Sequence, residues 1–302
     1  MEQIQNFVQK HPTVYFVEVR KDGKILDTYS KLFKNPAWEY NRMQLYSATK
    51  GITSAAAGIA VGEGLFSLED NVYKFFPEYV DESASENLKA ITVYDLLNMG
   101  SGLDDLVILY DSNLRRHTKD WVKYFFDFDF KKPGEKYFYA SLNTHMVAAV
   151  IEKTSGMDFY DYICSRLFEP LEIYYPDWLR TPTGTAMGGY GLLLAIDEMG
   201  RFGQMILDGG VYNGKQVVPK DYVEKLWEPQ WNITANMPTL NISGQVSYSH
   251  CFMSLDPDSI MASGYQSQYI VINRAKNAVI SILAVSDDDM TADIWHDILE
   301  KL

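Results

Sequence analysis

A serine and a lysine stand three residues apart in the stretch "LYSATKGITSAAAGIA", as Ser47 and Lys50. Residues with this spacing share one face of a helix, so the amine of Lys50 can reach the hydroxyl of Ser47. A serine hydroxyl becomes a nucleophile when a base removes its proton, but an ordinary lysine, with a pKa of about 10.4, is protonated at neutral pH. Burial and the positive end of a helix would both lower that pKa. The pattern therefore fits a nucleophile and its base, although spacing alone also fits a surface lysine on an ordinary helix.

The element that carries this pair has the composition of a buried helix. The run from Ser47 to Gly62 is rich in alanine, and Gly64 follows it as a helix stop. Small residues let neighbouring elements approach closely, which would take water away from Lys50. We therefore expect a helix that is packed on all sides.

Strand-like patterns lie near both ends of the chain, and helical patterns lie between them. Two β-rich runs flank Lys21-Asp22-Gly23, which is a hairpin signal, and later strand-like runs read "SYSHCFMSL", "QYIVINR" and "AVISILAVS". Helical periodicity dominates the region between them. We predict an α/β fold in which residues 1–75 and 183–302 form a discontinuous α/β domain. Residues 76–182 would form an inserted all-helical domain, with a cleft where the two meet.

Composition and charge exclude several classes of function. The chain has 302 residues and a formal net charge of -13, which argues against a nucleic-acid partner because phosphate binding needs clustered Lys and Arg. There is no basic, apolar leader pattern at the start and no apolar stretch of about 18 residues, so we expect no membrane association and a cytoplasmic location. Cys164 and Cys251 lie outside any CxxC or Cys/His metal spacing and are expected to be buried thiols.

Other catalytic chemistries find little support. The histidines show no HExxH spacing, and no GxSxG nucleophile elbow occurs. We therefore predict no metal site and no cofactor, and we disfavour a Ser-His-Asp triad.

The wider sequence resembles the serine β-lactamase and penicillin-binding-protein superfamily, most closely its class C branch with family VIII esterases and 6-aminohexanoate-dimer hydrolases. The similar blocks occur in the family's order and run from about residue 17 to the end of the chain. They read "LYSATKGITSAAAGIAVGEGLFSLEDNVYKFFPEY", "ITVYDLLNMGSGLDD", "PGEKYFYASLNTHMVAAVIEKTSG", "GGYGLLLAIDEMGRFGQMILDGGVYNGKQVVP" and "MASGYQSQYIVIN". The resemblance implies an antiparallel sheet flanked by helices, with the helical insertion already predicted.

The resemblance also implies roles for individual residues. Ser47 would be the acylated nucleophile and Lys50 its base or proton shuttle. Tyr139, in Tyr-Ala-Ser, would be the tyrosine of the second motif and would pass a proton to the leaving group, provided that nearby cations lower its pKa from about 10. The backbone N–H groups of Ser47 and Tyr265 would form the oxyanion hole. The residues expected to contact substrate are Ser141, Ser263, Gly264 and Trp178.

Two positions depart from the family pattern. Ser141 stands where the second motif often has Asn, although its hydroxyl can still donate to a substrate carbonyl or interact with Lys50. Ala262 stands where the third motif has Lys or His, so a charge-assisted contact to a substrate carboxylate is lost. Asn143 and Thr144, beyond the second motif, are expected to cap the following helix.

These features predict a serine hydrolase that acts through an acyl-enzyme on a small ester or amide. One alternative keeps the mechanism with a β-lactam or D-alanyl-D-alanine peptide as substrate, which the loss of the cation at Ala262 disfavours. The other alternative is a catalytically inactive family member that binds a ligand in the cleft. Retention of Ser47, Lys50 and Tyr139 together argues against it.

Overall fold

Both ends of the chain contribute to one large sheet. The computed structural model describes residues 2–31, 41–104, 117–236 and 245–302. Its strands are β1 (Val14–Lys21), β2 (Lys24–Ser30), β3 (Met43–Gln44), β4 (Leu193–Leu194), β5 (Val211–Tyr212), β6 (Lys215–Gln216), β7 (Trp231–Asn232), β8 (Ser247–Ser249), β9 (Phe252–Asp256), β10 (Ser259–Gly264), β11 (Gln268–Asn273) and β12 (Ala278–Ala284).

Within these ranges, eight strands form an antiparallel sheet in the order β2-β1-β12-β11-β10-β9-β8-β7. The N-terminal hairpin therefore pairs with the last strand of the chain. Its turn is the predicted one, because Asp22 and Gly23 both have positive φ, at 51° and 73°, as a two-residue hairpin turn requires. The predicted α/β fold with an antiparallel sheet flanked by helices is confirmed.

Helices cover the sheet and fill the middle of the chain. They are α1 (Glu2–Lys10), α2 (Thr49–Gly62), α3 (Glu86–Ala90), α4 (Val93–Leu97), α5 (Trp121–Phe126), α6 (Ser141–Ser155), α7 (Phe159–Ile163), α8 (Ile196–Leu207), α9 (Lys220–Lys225) and α10 (Thr291–Asp293). A π-helical turn extends α7 over Cys164–Phe168, and a π turn and a 3₁₀ turn extend α10 to Lys301. Helix α8 packs across β1, β11 and β12. Every residue of β11 and β12 is buried, so both faces of the sheet are covered there.

Helix α2 is buried as its composition predicts, and it ends where the glycine signal lies. Its residues from Thr49 to Ala60 are all buried. Gly64 has a φ of 73°, and the N–H groups of Gly64 and Leu65 donate to the carbonyls of Val61 and Ala60. This is a Schellman ending, which needs a residue with positive φ just beyond the helix.

Helix α6 is the centre of the helical region and packs against α2, α4, α5 and α7. In the described parts of residues 76–182, the named elements are all helical. The division into two domains stays a prediction. No helix in the described ranges is long and apolar enough to cross a membrane, and the cytoplasmic location also stays a prediction.

Candidate active site

Ser47 and Lys50 meet at the start of α2. Ser47 lies in a single 3₁₀ turn, Tyr46–Ala48, that leads directly into the helix. The Nζ of Lys50 donates to Ser47 Oγ over 3.0 Å and to the carbonyl of Gly189 over 2.8 Å. Lys50 is only 1% exposed. Its alternative interpretation as a surface lysine is therefore wrong.

Burial lowers the pKa of Lys50 from its ordinary value of 10.5 to about 7. The cause is loss of solvation, which penalises the charged form of the amine. Among the described side chains, no carboxylate contributes to this pKa. Close to pH 7 the amine is therefore uncharged in a large fraction of molecules and can accept a proton.

Tyr139 lies beside this pair, and its pKa differs from the one that its predicted role requires. The Nζ of Lys50 lies 4.8 Å from the centre of the Tyr139 ring, and the phenol interacts with the Ser47 side chain. Burial raises the pKa of Tyr139 well above 10, while the Ser47 hydroxyl acts in the opposite direction. The condition set for the role of Tyr139, that nearby cations lower this pKa, is not met, because desolvation is the largest influence on the phenol. The phenol of Tyr139 is therefore uncharged at neutral pH.

Two glycines let a loop pass between the helices α2 and α6. A β-carbon on Gly188 would lie 2.3 Å from the carbonyl oxygen of Thr144, and one on Gly189 would lie 2.6 Å from that of Ser141. The loop is fastened to α2 because Thr53 donates to the carbonyl of Gly188 over 2.7 Å. This close passage places the Gly189 carbonyl against Lys50. Sequence analysis did not single out Gly189, because a backbone acceptor leaves no signal in residue type.

Gly264 brings the end of β10 against the segment that carries Ser47. A β-carbon at this position would lie 2.0 Å from the carbonyl oxygen of Leu45 and 3.1 Å from the nitrogen of Ala48. Tyr46 fastens the same contact: its hydroxyl donates to Gln266 Oε1 over 2.8 Å, and its ring meets that of Tyr265 edge-on at 5.5 Å. Tyr46 itself has a φ of 46°, a strained conformation that is typical of functional sites.

Ala262 and Ser263 lie on opposite faces of β10, because side chains alternate along a strand. Ala262 is 1% exposed, and its methyl group faces Gly51 of α2. Ser263 is half-buried. The position that by resemblance would carry a cation is therefore occupied here by a methyl group packed against α2.

Ser141 is the first residue of α6 and is 5% exposed. Its β-carbon faces the Gly188-Gly189 loop. Ser141 therefore lies close to the Gly189 carbonyl, which accepts a hydrogen bond from Lys50. Asn143 and Thr144 do not cap the helix, because α6 already begins at Ser141. Asn143 Oδ1 accepts from Ser101 over 2.8 Å, and Thr144 Oγ1 donates to the Ser141 carbonyl over 3.1 Å.

Trp178 is buried below the Gly188-Gly189 loop. Its ring packs against Phe159 and Phe168, and its indole nitrogen donates to the carbonyl of Met187 over 2.9 Å. This side chain supports the loop that carries Gly189. Its contact with substrate stays a prediction.

Both cysteines were predicted to be buried thiols. Cys251 is 6% exposed, as predicted, whereas Cys164 is only partly buried. In the described parts of the chain, no three His, Cys, Asp or Glu side chains are grouped so that they could hold a metal ion.

Comparison with known proteins identifies the family of the chain. A sequence model of the Beta-lactamase family matches residues 2–301. The chain belongs to the beta-lactamase family. This is a family of serine hydrolases, and the resemblance seen in the sequence motifs is thereby confirmed.

Two solved structures illustrate the likeness of the fold. A protein named as a 6-aminohexanoate-dimer hydrolase from Bacillus anthracis has a TM-score of 0.81 at 16% identity, covering 99% of this chain and 81% of that one. A D-stereospecific amidohydrolase from Streptomyces has a TM-score of 0.73 at 16% identity, covering 99% of this chain and 98% of that one. At these identities the likeness establishes the fold alone.

Curated relatives match over shorter segments. Protein flp of Staphylococcus aureus (strain N315) is 24% identical over 172 residues, which are 53% of this chain and 34% of that protein. A beta-lactamase of Escherichia coli (strain K12) is 25% identical over 153 residues, 49% of this chain and 38% of that protein. The matched segments span little more than a third of these relatives.

Proposed function

We propose that this protein is a serine hydrolase that cleaves a small ester or amide through an acyl-enzyme on Ser47. The observation that carries the proposal is the contact of 3.0 Å between Lys50 Nζ and Ser47 Oγ, in a setting where burial lowers the pKa of Lys50 to about 7. A base with a pKa near the working pH is the most effective, because it combines the correct protonation state with a useful driving force for proton transfer.

In the acylation step, Ser47 Oγ attacks the carbonyl carbon while its proton passes to the uncharged amine of Lys50. The negative charge that develops on the carbonyl oxygen is held by the backbone N–H groups of Ser47 and Tyr265, and one such donor typically contributes about 3 to 4 kcal/mol. The C–O or C–N bond then breaks. The leaving group takes a proton from the neutral phenol of Tyr139, which recovers one from the Lys50 ammonium.

In the second step, water replaces the leaving group. It attacks the acyl carbon, gives its proton to Lys50, and releases the acid while Ser47 regains its hydroxyl proton. Ester or amide plus water is thereby converted into acid plus alcohol or amine, and no cofactor is required.

Substrate preference follows from Ala262. The residue is uncharged and packed against Gly51, so no side chain at this position can pair with a substrate carboxylate. An uncharged ester or amide is therefore favoured over a penicillin or a D-alanyl peptide. The D-stereospecific amidohydrolase and the 6-aminohexanoate-dimer hydrolase named above are in keeping with an amide or ester bond as the target.

Hydrolysis of p-nitrophenyl acetate by wild type and by Ser47→Ala tests the proposal. Ser47→Ala should retain the fold and lose at least 99% of turnover, since it removes the attacking atom. Ser67→Ala, at an exposed serine outside the site, is the control and should keep wild-type turnover.

Intact-mass measurement after incubation with a fluorophosphonate reagent should give a single adduct that is absent from Ser47→Ala. Wild-type turnover in Ser47→Ala would exclude Ser47 as the nucleophile. A folded wild-type protein with neither adduct nor turnover would indicate a ligand-binding family member. Nitrocefin hydrolysis as fast as ester hydrolysis would favour a β-lactamase.

A further inference from the structure

The turn that joins β10 to β11 carries the strand half of the proposed oxyanion hole. The last residue pair of the two strands is Gly264 and Gln268, so residues 265–267 form the loop. Gln266 and Ser267 both have positive φ, at 59° and 64°. A residue other than glycine costs energy in this conformation, and such strain persists only where surrounding contacts determine the backbone. The contacts around this turn therefore decide its conformation.

On one side, hydrogen bonds fasten the turn to the end of β12 and to the residues that follow it. Ser267 Oγ donates to the Asp288 carbonyl over 2.5 Å. The Nε2 of Gln268 donates to the carbonyl of Gln266 over 2.9 Å and to that of Ala284 over 2.6 Å. Ser267 and Gln268 are 4% and 1% exposed, so water does not compete for these bonds. The backbone of Gln266 is therefore held in place, and its side chain starts from a fixed position.

On the other side, the turn is fastened to the segment that carries the nucleophile. The Tyr46 hydroxyl donates to Gln266 Oε1 over 2.8 Å. The Tyr46 ring also meets the Tyr265 ring edge-on, with 5.5 Å between their centres. Tyr46 directly precedes Ser47 in the chain. Gln266 directly follows Tyr265. One hydrogen bond thus joins the neighbours of the two residues whose N–H groups would form the oxyanion hole.

Both ends of this hydrogen bond lie on strained backbone. Tyr46 has a φ of 46° and opens the 3₁₀ turn Tyr46–Ala48, which leads into α2. A bulky side chain is rarely found at positive φ, and functional sites are where such conformations are concentrated. The bond therefore connects two segments whose backbones would each relax if their side-chain contacts were lost.

The backbone contact at Gly264 and the hydrogen bond of Tyr46 limit movement in opposite directions. A β-carbon on Gly264 would lie 2.0 Å from the Leu45 carbonyl oxygen and 3.1 Å from the Ala48 nitrogen, so β10 cannot move closer to the nucleophile segment. Van der Waals contact resists approach steeply, but each pair of atoms resists separation only weakly. The bond between Tyr46 and Gln266 opposes separation, because it lengthens when the two segments move apart.

We propose that Tyr46 is a positioning residue for the oxyanion hole: its hydrogen bond to Gln266 holds the N–H of Tyr265 at the distance from the nucleophile that a developing oxyanion requires. This inference rests on the proposed function. Oxyanion donors act at about 2.7 to 3.1 Å, and a displacement of about 1 Å can lower a rate about 100-fold. Since the oxyanion develops only as the reaction proceeds, loss of the bond lowers kcat and kcat/KM together and leaves KM nearly unchanged.

Kinetics of p-nitrophenyl acetate hydrolysis by Tyr46→Phe, Gln266→Leu and the double variant test this inference. Tyr46→Phe removes one oxygen atom and keeps the ring that packs on Tyr265. Each single variant should lower kcat by about 10- to 100-fold, with KM within about twofold of wild type. The double variant should stay within about twofold of the slower single variant, because both changes remove the same hydrogen bond.

Inhibition by phenylboronic acid separates a positioning role from a merely structural one. A serine hydroxyl adds to the boron atom and gives a tetrahedral anionic adduct, which resembles the transition state of ester hydrolysis. The inhibition constant should rise in Tyr46→Phe by about the factor by which kcat falls. The pH at which kcat is half-maximal should stay at its wild-type value, because the bonds of Lys50 go to Ser47 and Gly189.

Tyr94→Phe is the matched control. It removes a hydrogen bond of the same kind, from the Tyr94 hydroxyl to Gln230 Oε1, at a place outside the candidate site. Its kcat, KM and inhibition constant should equal those of wild type. Circular dichroism and thermal melting show which variants are folded, and Gln266→Leu carries the test if Tyr46→Phe does not fold.

A folded Tyr46→Phe with the kcat and the inhibition constant of wild type overturns the inference. A lowered melting temperature with unchanged turnover per folded molecule overturns it too, since that is the result of a merely structural role. Additive losses in the double variant would show that Tyr46 and Gln266 act separately, which also contradicts it. Wild type that neither hydrolyses the ester nor binds the boronic acid would defeat the proposed function and this inference with it. An active wild type that Tyr46→Phe equals would defeat this inference alone.

Discussion

At the scale of single residues, the chemistry of this site depends on the solvation of Lys50. The amine keeps two hydrogen-bond acceptors, Ser47 Oγ and the Gly189 carbonyl, but it is 1% exposed. In the unfolded chain the same amine titrates near 10.5, and in the folded protein near 7. Between these values the unfolded state binds more protons, so the free energy of unfolding rises with pH. Burial of this amine therefore lowers the free energy of unfolding, and such a loss of stability is common at functional sites.

This relation predicts how Lys50→Met changes stability with pH. The variant keeps the volume of the side chain and removes the buried charge, so it should be more stable than wild type at pH 6. Its advantage should shrink by about 2 to 3 kcal/mol between pH 6 and pH 9, because the folded amine is already uncharged above pH 7 and the cost of removing the proton that the unfolded amine still holds falls as the pH rises toward 10.5. Urea denaturation at both pH values measures this difference. Lys24→Met, at an exposed lysine of β2, should show no such trend, and a pH-independent difference for Lys50→Met would contradict the assignment.

At the scale of elements, the candidate site lies where backbone segments pack closely at glycine residues. The Gly188-Gly189 loop passes between α2 and α6, and the end of β10 rests on the segment Leu45–Ala48 through Gly264. These contacts hold the end of β10 against the start of α2. The proposed oxyanion hole, formed by the N–H groups of Ser47 and Tyr265, would tolerate little displacement here, because hydrogen bonding to a developing oxyanion depends on distances of about 2.7 to 3.1 Å.

Gly264→Ala should therefore reduce activity far more than its effect on stability explains. The added methyl group would meet the Leu45 carbonyl oxygen at 2.0 Å and push β10 away from Ser47. Loss of one oxyanion donor lowers kcat by about 100- to 1,000-fold, and we expect a decrease of that order in p-nitrophenyl acetate hydrolysis per folded molecule.

Gly203→Ala is the matched control for overpacking. Its methyl group would meet Val279 Cγ1 at 2.5 Å, in the contact between α8 and β12. It should lower the melting temperature comparably while the remaining folded protein keeps its turnover. Equal turnover by the two folded variants would show that the end of β10 has no part in catalysis.

At the scale of the whole molecule, the site depends on joining the two ends of the chain. Strand β1 lies between β2 and β12, and β12 continues through β11 to β10, which carries Gly264. Val19 of β1 is fully buried and lies opposite Ile280 of β12. Packing near the N-terminus thus supports a strand that lies more than 200 residues later in the sequence.

Val19→Ala should destabilise the protein by about 2 kcal/mol, because it leaves a cavity in this shared core. Ile25→Ala, on the same hairpin but 53% exposed, should change stability by less than about 0.5 kcal/mol. Urea denaturation followed by tryptophan fluorescence and by residual hydrolysis measures both. Loss of activity at clearly lower urea than loss of fluorescence in Val19→Ala would contradict joint unfolding of the sheet and the site.

The sequence by itself determined the elements whose signals are local. The buried alanine-rich helix with its glycine stop, the hairpin at Asp22-Gly23 and the strands β11 and β12 follow from periodicity and turn residues. The three-residue spacing of Ser47 and Lys50 predicts their contact, since helical geometry alone brings them together. Family membership was also recognisable, because the order of the motifs is a property of the sequence.

Only the tertiary structure decided the electrostatics of the site. The run "SYSHCFMSL" was predicted as one strand, but it is the hairpin of β8 and β9, because hydrogen bonds from Leu97 and Asn98 hold His250 and Cys251 at positive φ without any glycine. Likewise, the acceptor on Gly189 lies 139 positions from Lys50. A pKa reflects everything packed around a group, and for Lys50 and Tyr139 those neighbours come from distant segments that only the folded chain brings together.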